Sequence, residues 1–415
     1  MGFQTVRGMR DFLPEKMKKK QFIEDFIRKV FESYGFEPLQ TPIVEEFDLL
    51  SNKDSGGEAV KDEIYYFKDK GDRELGLRYD LTVPLARVVA SNPSLSKPFK
   101  RYCINRVFRY DRPQAKRYRE FTQADVDIIG TKSVYADFEC LQVAVDVMRG
   151  LGFDFKIVIN NRKVLEELSL KMGIKENEIK EAFRSLDKLD KIGVKGVEKE
   201  FKEKGIDARI LGQLEANSLK ETQHYLKESD SLKELETLLE LSKENKLEEV
   251  EFDLSLARGL EYYTGNVFEI KVKDGPSVGA GGRYDKLIET YGGPETPATG
   301  ISFGIDRLYD YLEETLVVGA NSDVFVAVLS EEAYSIAFQT ASKIRGFGIS
   351  VEIDLMQRNM KKNFEYVQKK GIEYLIVFGE NELKSKKFKI KDMTSREEKE
   401  IGFDDLQKIL TIIKK

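Results

Sequence analysis

Two runs of strand-forming residues, 101–110 and 119–129, are joined only by the polar stretch Asp111-Arg-Pro-Gln-Ala-Lys-Arg-Tyr118. A link that short cannot carry a parallel crossover, which takes about a dozen residues or more, so the runs are expected to pair antiparallel. Their surroundings fit such a sheet. Residues 15–34 carry helical apolar spacing (Phe22, Ile23, Phe26, Ile27, Val30, Phe31) with Tyr34-Gly35 as a stop. The run Phe36–Val44 reads as an extended strand broken by prolines, suited to an edge or an interface. Ile64–Phe67 and Glu74–Arg78 read as a hairpin around Lys70-Gly71-Asp72. A helix is expected from Asp80 to Ala90, with Thr82 as N-cap and Pro84 in the first turn. Another is expected over 133–150, then a strand at Phe155–Ile159. This is an antiparallel pattern with helices, not a βαβ alternation.

The texture then changes twice. Over 163–248 Leu, Glu and Lys dominate and charges alternate in sign, the mark of helices with a solvated face. Strand texture returns at Glu251–Leu254 and continues to residue 308, and Val317–Asp323 reads as a linker. Beyond it, Val324–Leu329, Ile349–Ile353 and Tyr374–Phe378 are apolar runs of the kind buried in a parallel sheet. Helices are expected near 331–346, 359–370 and 404–414, and a basic run spans Lys384–Lys391. A chain of 415 residues has room for two or three domains.

Composition narrows the chemistry. The chain holds one histidine, His224, in a sequence that reads as a partly exposed helix. Its two cysteines, Cys103 and Cys140, are too few for a disulfide scaffold and fit a reducing cytosol. This scarcity argues against Ser-His-Asp or Cys-His catalysis and against zinc. No run of apolar residues is long enough to span a membrane, and the N-terminus lacks the pattern of a signal peptide, so a cytoplasmic location is expected. Net charge is only −5, yet Lys97–Arg119 holds nine Lys or Arg against one acid, Asp111. Such a block reads as an anion-binding patch, with a solvated basic surface as the rival.

Four segments carry candidate chemistry. Leu256–Glu269 reads as strand, glycine turn, strand, with Arg258 near Tyr262 and Tyr263; on a regular strand the two tyrosines point to opposite faces. A guanidinium binds carboxylate or phosphate through two parallel bonds, but taken alone an ordinary amphipathic strand explains this segment better. In Phe108–Gln123 a strand, basic loop and returning strand can hold a triphosphate, with Phe121 offering a face to a base. From there Gln123, Asp125 and Asp127 fall on one face. Val278–Asp285 reads as a glycine-rich turn without the Lys-Ser/Thr of a Walker loop. In Gly300–Arg307 a small-residue strand leads into a helix carrying Arg307, for which, alone, a salt-bridged helix arginine is the better account.

In this order the segments resemble the histidyl-tRNA synthetases, a family of class II aminoacyl-tRNA synthetases. Phe108–Gln114 is similar to motif 2, Gly304–Arg307 to motif 3 and Pro38–Val44 to motif 1 at a dimer interface. Arg258–Tyr263 and Ala280–Asp285 resemble the two histidine-specific motifs. The resemblance implies an α+β fold: a class II antiparallel-sheet catalytic core over 1–162 and 249–318, a helical insertion over 163–248, and a C-terminal α/β anticodon-binding domain over 323–415.

It also implies ATP-dependent ligation of L-histidine to tRNA(His) through a histidyl-adenylate by a homodimer, with Mg2+ accompanying ATP and no tightly bound protein metal. Asp80, Leu81 and Thr82 would hold the α-amino group; Tyr79-Asp-Leu-Thr82 has the archaeal and eukaryotic form where many bacterial members have Pro-Glu-Gly-Thr. Gln123 would orient the amino acid, and Asp127, where many relatives carry Glu, would bond the imidazole together with Tyr263. Tyr262 would shape the pocket or pack behind it. Arg109 and Arg307 would grip ATP phosphates, Phe121 would stack on adenine, and Arg258 would bridge the α-phosphate and the histidine carboxylate. Arg112, Gln114 and Arg117 would touch the tRNA acceptor end. Two alternatives stand beside this reading. One is the non-catalytic paralogue that regulates ATP phosphoribosyltransferase; the other is an RNA-binding module derived from a synthetase.

Overall fold

The first helix runs Pro14–Ser33 and turns Ile23, Ile27 and Phe31, spaced four apart, wholly inward. Pro14 stands at its start, where an absent N–H breaks no helical bond. The computed structural model describes residues 2–52, 61–111, 117–257, 262–273 and 275–413. Two units separate, Met1–Leu316 and Val317–Lys415.

In the first unit the strands are β1 (Glu37–Pro38), β2 (Val44–Glu46), β3 (Tyr66–Lys68), β4 (Glu74–Leu77), β5 (Phe99–Phe108), β6 (Glu120–Ile129), β7 (Phe155–Asn161), β8 (Val250–Phe252), β9 (Asn266–Val272), β10 (Gly279–Arg283) and β11 (Ala298–Gly304). One sheet has the order β1-β5-β6-β11-β10-β9-β7-β8, and β2, β4 and β3 form a smaller one. The inner pairings are all antiparallel, and parallel pairing is confined to the edges, β1 on β5 and β8 on β7. The proline-broken run at 36–44 does not make one strand. It splits into the edge strand β1 and, beyond Pro42, β2, since Pro38 and Pro42 have no N–H to offer a continuous ladder.

Alternation along β6 sets its two faces apart. Ala124, Val126 and Ile128 join a buried cluster with Ile27 and Phe31 of the first helix and Val143 and Val147 of the helix Val134–Gly150. Gln123, Asp125 and Asp127 therefore point away from those helices. The helix Thr82–Ser91 corrects one expectation: Thr82 is its first residue and not its cap. Asp80 Oδ1 accepts from the Val83 N–H at 3.1 Å instead, so the carboxylate does the capping. Helices dominate 163–248, and Leu165, Leu168, Phe201, Leu235 and Leu238 bury their apolar face in the same cluster as Ile157 and Ile159 of β7.

The second unit holds a mixed sheet: β12 (Val324–Val328), β13 (Val351–Ile353), β14 (Tyr374–Phe378), β15 (Lys387–Asp392) and β16 (Glu398–Gly402), in the order β13-β12-β14-β15-β16. The three apolar runs pair in parallel as expected. Val324, Val326 and Val328 pack with Ala337, Ala341 and Ile344 of the helix Tyr334–Gly346. Phe325 and Ala327 pack on the other face with Val367 of the helix Met360–Lys370. The basic run is a surprise. Lys387, Lys389 and Lys391 alternate with buried Phe388 and Ile390 on β15, which hairpins antiparallel onto β16. No helix among the described residues is long and apolar enough to cross a membrane.

Candidate active site

A cavity of about 300 Å³ opens on the face of the large sheet that carries Gln123, Asp125 and Asp127, all three of which line it. Its floor is nearly bare backbone. A Cβ on Gly300 would lie 2.2 Å from Asp127 Oδ1, and one on Gly281 would lie 2.2 Å from the Gly300 carbonyl. Glycine at these two positions thus lets β11 lie against Asp127 and β10 against β11, where a side chain would clash. This revises the expectation for 278–285: the glycines lie in an inner strand, not in a turn.

One end of the cavity is acidic. Asp127 stands opposite Arg101 in the β5–β6 register, and their side chains meet at 2.7 Å with both nearly inaccessible. The Tyr284 hydroxyl donates to Asp127 Oδ1. Gln123 Nε2 donates to Ser302 Oγ at 2.8 Å, and the Ser302 hydroxyl also bonds Asp125. Burial pushes the Asp80 carboxyl up to about 6, against the Val83 N–H and the charges of Arg109 and Arg101. Burial pushes Asp125 up to about 7, with Arg101 opposing and Asp127 and Asp80 adding. The Tyr263 phenol is raised by burial and by the same three carboxylates, so it stays protonated and can donate.

The other end is cationic. Arg109, Arg117 and Arg307 line it with Phe121, whose ring centre lies 5.3 Å from the Arg109 guanidinium. Arg109 donates to the Tyr79 carbonyl, Arg117 pairs with Asp111, and Arg307 donates to the Ser277 carbonyl at 2.6 Å. Arg307 makes no ion pair with any described residue, so the salt-bridged account of it does not hold there. Its guanidinium is held below the usual arginine range by burial and then by the charges of Arg109 and Arg117. Asp306, the next residue, anchors this helix: it accepts from the Thr122 N–H at 2.7 Å, from Lys20 at 3.1 Å and from Arg10 at 3.0 Å.

Other expectations change in detail. Tyr262 and Tyr263 precede β9 and are not part of a strand, so pleat alternation does not apply to them. Both line the cavity, with ring centres 4.9 Å apart. Leu81 does not line it; its side chain is buried with Cys103 and Val107, and its carbonyl accepts from Arg101 at 3.2 Å. Thr82 does line it. Arg258, Arg112 and Gln114 lie outside the described residues. The basic block does not form one patch: Arg101 is buried on Asp127, Lys100 bonds Glu139, and Arg106 pairs with Glu120. His224 is exposed on its helix, as expected.

Residues 8–308 match the family model described as histidyl-tRNA synthetase, and 323–412 match an anticodon binding domain. The chain belongs to the histidyl-tRNA synthetase family. Histidine–tRNA ligase of Pyrobaculum islandicum is 39% identical over 96% of this chain and 96% of its own. Histidine–tRNA ligase 1 of Bacillus cereus is 37% identical over 98% and 97%. Whole-chain identity therefore ranks an archaeal and a bacterial relative almost alike. The crystal structure of histidyl-tRNA synthetase from Nostoc superposes with a TM-score of 0.84 at 29% identity, covering 99% of this chain and all of that one. A Bacillus halodurans structure described as ATP phosphoribosyltransferase regulatory subunit/histidyl-tRNA synthetase aligns at 25% identity and TM-score 0.75, covering 90% of this chain and 98% of that one. The full-length ligase relatives and the anticodon-binding match favour the enzyme over the regulator. This synthetase is an ATP-dependent ligase that joins histidine to tRNA.

At the acidic end of this synthetase's cavity, Asp125, Tyr284 and Ser302, which line it, and Arg101, which pairs with Asp127, had no role assigned from the sequence. Asp125 was marked by its parity with Gln123 and Asp127, and Tyr284 by its glycine-rich segment. Ser302 carried no signal beyond membership of its strand, and Arg101 was marked only as one of the nine cations of the basic block.

Proposed function

We propose that histidine and ATP lie side by side in this cavity, the amino acid at the carboxylate end and the triphosphate at the arginine end. The observation that carries the reading is the crowding of Arg109, Arg117 and Arg307, three cations whose mutual repulsion suits a polyanion. Asp80 and Thr82 take the α-amino group, with the Leu81 backbone holding them in place, and Gln123 orients the amino acid. Asp127 and Tyr263 bond the two imidazole nitrogens, and Tyr262 backs Tyr263. Arg109 and Arg307 hold the phosphates, and Phe121 stacks on adenine. Arg258 bridges the α-phosphate and the substrate carboxylate; Arg112, Gln114 and Arg117 contact the acceptor end of tRNA(His).

The chemistry asks little of the side chains. The histidine carboxylate, already ionised, attacks the α-phosphorus and pyrophosphate leaves. A terminal ribose hydroxyl of the tRNA then attacks the adenylate carbonyl and AMP leaves, its phosphate oxygen able to take the proton. Alignment and neutralisation of phosphate charge lower the barrier, with magnesium arriving on ATP as part of the substrate. A site with buried polar groups cut to imidazole rejects analogues that would leave them unpaired.

The working unit in this reading is a cytoplasmic homodimer, the dimer supported by exposed Ile43 and by exposed Val44 at the start of β2. Its domains are a catalytic core at 1–162 and 249–318, a helical insertion at 163–248 and an anticodon-binding domain at 323–415. ATP–pyrophosphate exchange tests the site. Asp127→Ala should raise the histidine KM about tenfold or more and leave the ATP KM within about twofold. Comparable rises in both would remove Asp127 from the ring contact. Histidine binding without exchange in the unmutated protein would favour the regulator.

A further inference from the structure

The three carboxylates at the acidic end are not equivalent. Asp127 takes the Tyr284 hydroxyl on Oδ1, and its Oδ2, though without a hydrogen bond among the described residues, is ion-paired with Arg101 at 2.7 Å. Asp80 spends Oδ1 on the Val83 N–H, and its Oδ2 has no hydrogen-bond partner among the described residues. Asp125 is held by the Ser302 hydroxyl, and its Oδ1 is likewise without a partner among them. Both acids are nearly inaccessible, 3% and 2% exposed, and both line the cavity. The groups acting on Asp125 are Arg101 and Cys103 of β5, Arg78, Asp80, Asp127, Tyr263 and Ser302. Of these, Arg101 is spent on Asp127, and Arg78 donates to the carbonyls of Arg106, Thr41 and Pro42. Two acids that line one space therefore each keep a buried oxygen with no hydrogen bond and make no ion pair among the described residues, with Arg101 acting on both and Arg109 on Asp80 through charge alone, an arrangement that is costly unless a bound cation completes it.

We propose that Asp125 is a second carboxylate ligand of the substrate's α-ammonium group, shared with Asp80. An ammonium has three N–H donors and can serve Asp80, Asp125 and the Thr82 hydroxyl together, whereas each imidazole nitrogen has at most one. Spacing agrees. Asp125 stands two residues along β6 from Asp127, about 6.6 Å, which separates a ring contact from an amine contact within one histidine. Gln123 and Asp125 are fixed to each other through Ser302, so the strand presents both to the amino acid in one orientation. The proposal rests on the reading of this cavity as the histidine site.

Pyrophosphate exchange and competition binding on the full-length protein test it. Asp125→Asn should raise the histidine KM and the inhibition constant of histidinol about tenfold or more, with the ATP KM unchanged. Imidazolepropanoate, which keeps the ring and lacks the amine, should bind variant and unmutated protein alike, and Asp125→Glu should recover part of the histidine affinity. An unchanged histidine KM in Asp125→Asn overturns the proposal. So does an equal loss for imidazolepropanoate, which would put Asp125 at the ring or in the scaffold. Asp80→Asn separates the levels: if it raises the histidine KM and Asp125→Asn does not, only this proposal fails; if neither does, the cavity reading fails. Should Asp125→Asn not fold, competition binding to Asp125→Glu decides. That substitution should weaken histidine and histidinol and leave imidazolepropanoate unchanged, and an equal change for all three overturns the proposal.

Discussion

Asp125→Asn should make the substrate-free protein more stable, and by an amount that depends on pH. The carboxyl is 2% exposed and pushed from 3.8 to about 7, by burial first and then by Asp127 and Asp80 against Arg101. Because the folded pKa lies above the unfolded one, the folded state holds the extra proton between those values. Stability therefore falls as pH rises through that window, and the penalty is full above it. The shifted carboxyl destabilises the fold by about 4 kcal/mol at pH 8, where it is ionised, and by about 2 kcal/mol at pH 5, where it must hold a proton that the unfolded chain releases. Asn removes the charge and keeps a group able to bond Ser302, but its amide hydrogens take back about 1–2 kcal/mol where they find no acceptor. The net gain at pH 8 is then about 2–3 kcal/mol, which moves a melting temperature by several degrees, and at pH 5 it is near zero. Scanning calorimetry of both proteins at the two pH values measures it. A variant that is no more stable at pH 8, or equally stabilised at both pH values, refutes the argument that an uncompensated carboxylate is buried there. Added histidine sharpens the test, since it should raise the melting temperature of the unmutated protein more than that of the variant.

Three further outcomes follow from the same geometry. Arg101→Met strands Asp127 without its 2.7 Å partner at a site 1% exposed, and should cost about 3–5 kcal/mol in urea unfolding, part of it recovered by Asp127→Asn in the same chain. Arg307→Ala removes a guanidinium that makes no ion pair with a described residue, so unfolding should move little while the ATP KM in exchange assays rises about tenfold or more. Ile27→Ala, 0% exposed where the first helix meets the sheet, should cost about 2–5 kcal/mol in urea with both substrate KM values unchanged.

How much of this was legible in the sequence depended on whether one period dominated a segment. The first helix and the three parallel strands of the second unit carry clean apolar patterns, and each lies within a few residues of its expected place. The β15–β16 hairpin was hidden by charge. In Lys387-Phe-Lys-Ile-Lys391 the period-two signal is complete, but three lysines in five residues read as a basic tract. What stabilises them is remote in sequence: Lys389 and Lys391 reach Glu398 across the hairpin, and Lys387 reaches Glu400. The tyrosines erred the other way. Aromatics beside a glycine looked like strand residues, yet their place is decided by a cavity wall that no local pattern encodes.

The site divides along the same line. Gln123, Asp125 and Asp127 were found on one face because parity on a single strand is local information. Arg101 was not found because its role depends on register. The bounds expected for the two strands left their register open; in the fold Phe99 faces Ile129 and Arg101 faces Asp127. A slip of two residues keeps every face correct and every partner wrong. Gly300 is harder still. Its neighbour across β6 is Asp127, and a single methyl there would occupy the space 2.2 Å from Oδ1. A glycine in a strand commonly reads as a weak point. Here the missing atom lets the Asp127 carboxylate lie against the β11 backbone, which can be argued only after the strands have been aligned.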